Sequence, residues 1–267
     1  MATFDELYRP ASLKLERAKH HINDLNARIN AFLAEEPFEL VIIHDDHAGR
    51  RTHEIESKQA IPCGLSLIIG DAIHNLRSAL DITLFGMIGA TASYPWMVQF
   101  PFARNKDGLK AAIAKAEIAL AGNDVVAVIE AAEPYGGGNE LFHGLNVLDI
   151  TDKHRLIIAT GRNAQLSADD FAKIDPYLPI SGPGILVFTG ETNVIFDIKI
   201  HRMSRQARRA NKGYAPTRHK PHIQPPFELA FGGGEPFAGQ ALVPTLVEIT
   251  SKVECLCRDM CTAFLKP

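Results

Sequence analysis

The sequence predicts an α+β fold, a bundle of four to six helices packed beside a small antiparallel β-sheet. Apolar residues recur at spacings of three and four over about residues 10–34, 62–88, 106–153 and 242–264, the helical period. Short runs of β-branched and aromatic residues, punctuated by Gly, Pro and Asn, fall within about 38–57 and 155–232. Helices come first, strands later, and a helix returns at the end, with no internal repeat. One continuous domain over 1–267 is therefore expected.

The first helix is read from Leu13, Leu15, Ala18, Ile22, Leu25, Ile29 and Phe32, and Pro37 helps to end it. Phe38 to His44 and Thr52 to Ile55 flank the turn-rich Asp45-Asp46-His47-Ala48-Gly49, which predicts a β-hairpin. Pro62 suits the first turn of the second helix, which runs to about Ile88. Residues 106–132 read as one or two helices that stop at Pro134-Tyr135-Gly136-Gly137-Gly138. From Asn139 a further helix is expected to carry Asn139, His143, Asn146 and Lys153 on one face. Strands are expected at Leu156–Thr160, Ile185–Thr189, Val194–Ile200 and Phe227–Phe231. Leu246, Ile249, Val253, Leu256, Met260 and Phe264 then mark a closing helix of about 20 residues.

With 267 residues, 46% of them hydrophobic, the chain can bury a full core. A net charge of −3 argues against a protein that coats nucleic acid or an anionic membrane over its whole surface. The first residues are too charged for a signal peptide, and no apolar stretch of about 18 residues is free of charge. The expectation is a soluble cytoplasmic protein with no membrane partner. Cys63 stands alone and Cys255, Cys257 and Cys261 crowd one helix, which reads as reduced thiols rather than a disulfide framework or a zinc ligand set.

The segment from Leu65 to Gly89 carries the strongest functional signal. Asp71, His74, Asn75, Arg77, Ser78 and Asp81 interrupt an otherwise apolar helical pattern, and all but Arg77, which stands at the margin, gather on about a third of its circumference. The same face turns apolar again at Leu67, Ile82 and Phe85, which reads as a polar island in a mostly buried helix. Buried charge is costly unless paired, and such groups cluster at functional sites. Two readings stay open, a ligand or catalytic site and a satisfied structural network that fixes helix register. On the site reading, the island shares a pocket with the helix bearing His143, Asn146 and Lys153.

The string GDAIHNLRSALDITL resembles a family of uncharacterised bacterial proteins with a G-D-x-x-H-N-L-R-S-A-L-D-H helix, followed later by a segment like Asp152-Lys153-His154-Arg155. More distantly, Arg77 and Ser78 match the first two places of the motif of the HEPN superfamily, whose third place is a histidine. The residue at that place is Ile82. The resemblance implies a helical bundle, a homodimer, and an RNA-acting or phage-defence role as a metal-independent ribonuclease. Its histidine assists proton transfer and its arginine stabilises phosphorane charge. Isoleucine does no proton chemistry, so His74, one turn before Arg77, is the substitute. His74, Arg77, Ser78 and Asp81 are then the catalytic candidates, and Asp71, Asn75, His143, Asn146 and Lys153 the substrate-binding ones.

A metal-dependent hydrolase is the rival enzyme reading, since Asp71, His74 and Asp81 are ordinary ligand types that His143 or Asp149 would complete. Arg77 beside them would repel a cation, and neither a metal nor a cofactor is expected. His44-Asp45-Asp46-His47 reads as solvated turn residues. Gly136 to Gly138 precede a helix without G-K-[ST] and so form no P-loop, and G-x-S-x-G, H-E-x-x-H and G-x-G-x-x-G are absent. Finally, residues 199–222 hold eight Lys or Arg and no acid, leaving 20 basic against 31 acidic residues elsewhere, a net of −11. Arg208 and Arg209 in this segment are candidates for RNA phosphate contact, with an arm docking on a second subunit as the alternative.

Overall fold

The computed structural model describes residues 3–45, 47, 50–157, 159–163, 194–199, 215–221 and 227–266. Helix α1 (Phe4–Ala34) starts earlier than its apolar period suggested, because Thr3 and Glu6 form a reciprocal capping box that ties off the first turn ahead of Pro10. The remaining helices among the described residues are α2 (Gly64–Ile88), α3 (Lys106–Lys115), α4 (Asn123–Ala132), α5 (Glu140–Asp152) and α6 (Leu242–Phe264), with 3-10 turns at Pro95–Met97 and Ile118–Ala121. Pro62 lies two residues before α2, where its carbonyl accepts from Leu65 N. Asn139 caps α5 from outside the helix, its side chain accepting from Leu141 N and Phe142 N, so it does not share the face of Asn146.

Among the described residues the strands are β1 (Phe38–Asp45), β2 (Arg50–Ser57), β3 (Ala159–Asn163), β4 (Val194–Lys199), β5 (Thr217–His219) and β6 (Phe227–Phe231). They form a four-stranded antiparallel sheet in the order β4-β2-β1-β5 and a separate antiparallel pair, β3-β6. The hairpin register runs from Phe38 opposite Ser57 to Asp45 opposite Arg50. Strand β3 begins later than the apolar run suggested, since Leu156 and Ile157 precede it and Ile157 is packed inside, its carbonyl accepting from Ser66 Oγ at 2.6 Å. Strand β5 was not expected, because Thr217, Arg218 and His219 are polar and exposed and carry no alternation. The expected strand Ile185–Thr189 lies outside the described residues.

Helix α2 is the axis of the molecule. Ile69, Ala72, Ile73, Leu76, Ala79, Leu80, Leu84 and Ile88 have no exposed surface, and α2 packs on α1, α5 and α6. Leu67 and Phe85 are 58% and 49% exposed, however, so the apolar residues flanking the polar island are solvent-facing too. The island is therefore one stretch of an outer stripe, not an inclusion in buried surface. Helical spacing alone cannot separate a covered apolar residue from one left in water. Gly70 lies on the side of α2 that meets α5, where a Cβ would collide with the Asp152 carboxylate, so glycine leaves room for that side chain. No described helix is long and apolar enough to cross a membrane.

Candidate functional site

The polar residues of α2 divide into three groups. Asp71 and Asn75 point outward: Asn75 donates back to the Asp71 carbonyl at 2.8 Å, and the Asp71 carboxylate stands 4.0 Å from His21 of α1. Neither lines the cavity described below. Arg77 and Asp81 form an anchor. Arg77 pairs with Asp81, whose Oδ1 also accepts from Phe100 N at 2.7 Å, tying the 98–102 segment to α2. The guanidinium of Arg77 lies 4.5 Å from the centre of the Phe102 ring, a cation–π contact that holds its plane fixed. Asp81, a catalytic candidate from sequence, is thus engaged in holding a loop and an arginine.

The third group is a relay. His74 Nδ1 lies 3.2 Å from Asp149 Oδ1 of α5, and Lys153 Nζ donates to the other oxygen of that carboxylate at 2.6 Å. Asp149 is buried while His74 and Lys153 are more than half exposed, so two surface groups are set by one carboxylate beneath them. Ser78 Oγ stands 3.5 Å from His74 Nε2. The order serine, histidine, aspartate is that of a hydrolase nucleophile and its base. Ser78 sits mid-helix, though, where the backbone N–H groups already bond to carbonyls four residues back, so the backbone offers no oxyanion donors.

Between α2, α5, α3 and the 97–102 segment lies a cavity of about 360 Å³, lined among others by Arg77, Gln99, Phe102, Lys115, Asn146, Asp149 and Lys153. Three cations face it against the single carboxylate of Asp149, so its lining favours an anion. Arg77, Asn146 and Lys153 come together here, while His74 and Ser78 join the cavity only through Asp149. His143 does not reach it. That imidazole lies at the start of α5, with Nδ1 4.0 Å from Glu140 Oε2 and Nε2 close to Gly136. Arg208 and Arg209 lie outside the described residues.

Sequence reading missed Phe102, Gln99 and Lys115 as cavity walls, which come from a loop and a helix with no motif. It also weighed Asp149 only as a metal ligand, although Asp149 and Lys153 are four apart on one helix, a spacing that pairs charges. The segment Asp152-Lys153-His154-Arg155 proves to be a junction. Asp152 lies against Gly70, Lys153 holds Asp149, and Arg155 donates to the fully buried Glu235 at 2.7 Å. Burial, with Asp149 and Asp71 nearby, holds the Asp152 carboxyl above its ordinary value, partly countered by His74.

No family model, curated protein or solved structure matches this chain. Among the described residues no group of three or more His, Cys, Asp or Glu is placed to hold a metal ion. The described residues of the 136–138 turn offer no open anion nest either, since Gly137 N donates to Glu140 Oε1 and Gly138 N to the Tyr135 carbonyl. All four thiols are free, and burial pushes Cys257 up to about 12 and Cys261 to about 11, out of the reactive range.

Proposed function

We propose that the protein acts on RNA by metal-independent phosphodiester chemistry, with His74 as the proton-transfer group. The observation that carries this reading is a half-exposed imidazole oriented by buried Asp149, a residue that also lines a cation-bearing cavity of about 360 Å³. Histidine is the side chain suited to proton transfer near neutral pH. In the proposed step His74 Nε2 accepts the proton of a ribose 2′-hydroxyl, and the 2′-oxygen bonds to the adjacent phosphorus as the bond to the 5′-oxygen breaks. A 2′,3′-cyclic phosphate and a 5′-hydroxyl result. The leaving oxygen takes its proton from water, and His74 returns its own to solvent. Arg77, stacked on Phe102, and Lys153 supply charge that stabilises the phosphorane, and Asn146 is a neutral donor on the same wall.

The competing reading is a structural network without catalysis. The Arg77–Asp81–Phe100 anchor favours it, since Asp81 is engaged in holding a loop and the arginine. It leaves the cavity and the exposed imidazole without a purpose. Product chemistry separates the two. Wild-type protein incubated with mixed-sequence RNA in excess chelator is expected to leave 2′,3′-cyclic phosphate ends and to spare the 2′-O-methyl analogue. Uncut RNA across a broad set, or cleavage that chelation abolishes, would remove the proposal.

A further inference from the structure

Trp96 is the only tryptophan of the chain, and at 79% it is the most exposed large hydrophobic residue among those described. It sits in the 3-10 turn Pro95–Met97, next to Met97, which lines the cation-bearing cavity. Tyr94, itself 54% exposed, meets the Trp96 ring at 5.4 Å and 68°, an edge contact that leaves indole surface open to water. An indole in water forgoes the largest burial gain of any side chain, and aromatic surface left open beside a polar cavity marks an interaction site.

The turn is held in place from both sides. Met97 N donates to the Tyr94 carbonyl at 2.9 Å, and Val98 N to the Pro95 carbonyl at 3.2 Å. On one flank Glu117 Oε2 accepts from Ser93 N at 3.0 Å and Ser93 Oγ at 3.1 Å. Glu117 has φ 53°, a left-handed conformation disfavoured for a residue with a Cβ, so the contact is kept at a backbone cost. On the other flank Phe100 N is fixed to Asp81. The aromatic surface is thus presented by a pinned segment rather than by a free loop.

We infer that Tyr94 and Trp96 form a stacking platform for an unpaired base of single-stranded RNA whose phosphate enters the cavity beside Arg77, Lys115 and Lys153. The inference rests on the RNA reading above and names its substrate class. Charge and shape agree with that occupant. Lys115 has no ion pair among the described residues, and the cavity walls carry three cations against one acid. A flat indole face beside a cationic pocket is what a strand of alternating bases and phosphates requires. In a duplex the bases are stacked on one another and unavailable to an external ring. The platform therefore selects single strands.

The lone tryptophan makes the test direct, because all indole emission comes from Trp96. An uncleavable, end-labelled 2′-O-methyl oligonucleotide is titrated into the full chain while label anisotropy and indole emission are both read. Saturable quenching by the single strand is expected, with little from the matching duplex. Trp96→Ala is expected to weaken binding about 5- to 150-fold with an unchanged melting temperature, and Trp96→Phe to retain most of it. Binding by anisotropy with unchanged indole emission and no effect of Trp96→Ala overturns the platform and leaves the RNA reading standing. Absence of any binding, together with uncut RNA, overturns both. A blue shift that follows protein concentration without RNA assigns the surface to a second copy of the chain and overturns the platform alone.

Discussion

Gly70→Ala tests how α2 and α5 are joined. Alanine is the better helix former by about 1 kcal/mol, so in an open helix the change would stabilise. Here the new Cβ would collide with the Asp152 carboxylate, and overpacking of this kind costs about 1–3 kcal/mol. The two effects oppose each other, and a net loss of up to about 2 kcal/mol is expected in the wild-type background. In an Asp152→Ala background the colliding atoms are gone, so Gly70→Ala is expected to become stabilising by up to about 1 kcal/mol. The coupling between the two positions is then about 1–3 kcal/mol, read by urea unfolding of all four corners of the cycle with the slope checked for constancy. An effect of Gly70→Ala that is the same in both backgrounds would refute the claimed contact.

Two further outcomes follow from the same junction. Asp152 has its carboxyl raised by burial and neighbouring acids, so the folded chain holds that proton more tightly than the unfolded chain. Its contribution is greatest below the ordinary aspartate range and is lost as pH rises through the raised value. Asp152→Asn is therefore expected to raise the melting temperature at neutral pH and to leave it unchanged in strong acid, and a lower temperature at pH 7 would contradict this. Arg155→Ala leaves the fully buried Glu235 without its guanidinium partner and is expected to cost about 1–3 kcal/mol by chemical denaturation, an effect largely removed by adding Glu235→Gln.

The helices were legible because their apolar residues repeat at the helical period along α1, α2 and α6, and the hairpin because Phe38 to Ile43 is apolar except at Glu39 and leads to a polar turn. Element ends were less so. Thr3 and Glu6 start α1 by capping, a side-chain device that an apolar period ignores, and β5 is polar and exposed. The six polar residues of α2 could be gathered on one stripe but not sorted, because their roles depend on partners distant in the chain. His74 meets Asp149, Asp81 meets the backbone of Phe100, and Arg77 meets Phe102. No spacing within α2 encodes those contacts. Gly70 and Asp152 likewise stand in two separate motifs, and only the folded chain shows that they touch.

The central claim is that His74 moves a proton rather than fastening two helices, and the most direct measurement is the rate of RNA cleavage by His74→Ala in chelator, taken with its melting temperature. His74 is 58% exposed, so truncation removes little packing, and the melting temperature is expected to stay within a few degrees of wild type. Cleavage is expected to fall about 100-fold or more, the usual weight of a general base. A variant that cuts RNA as fast as wild type, or one that loses activity only in step with a large drop in melting temperature, would show instead that the histidine serves the fold.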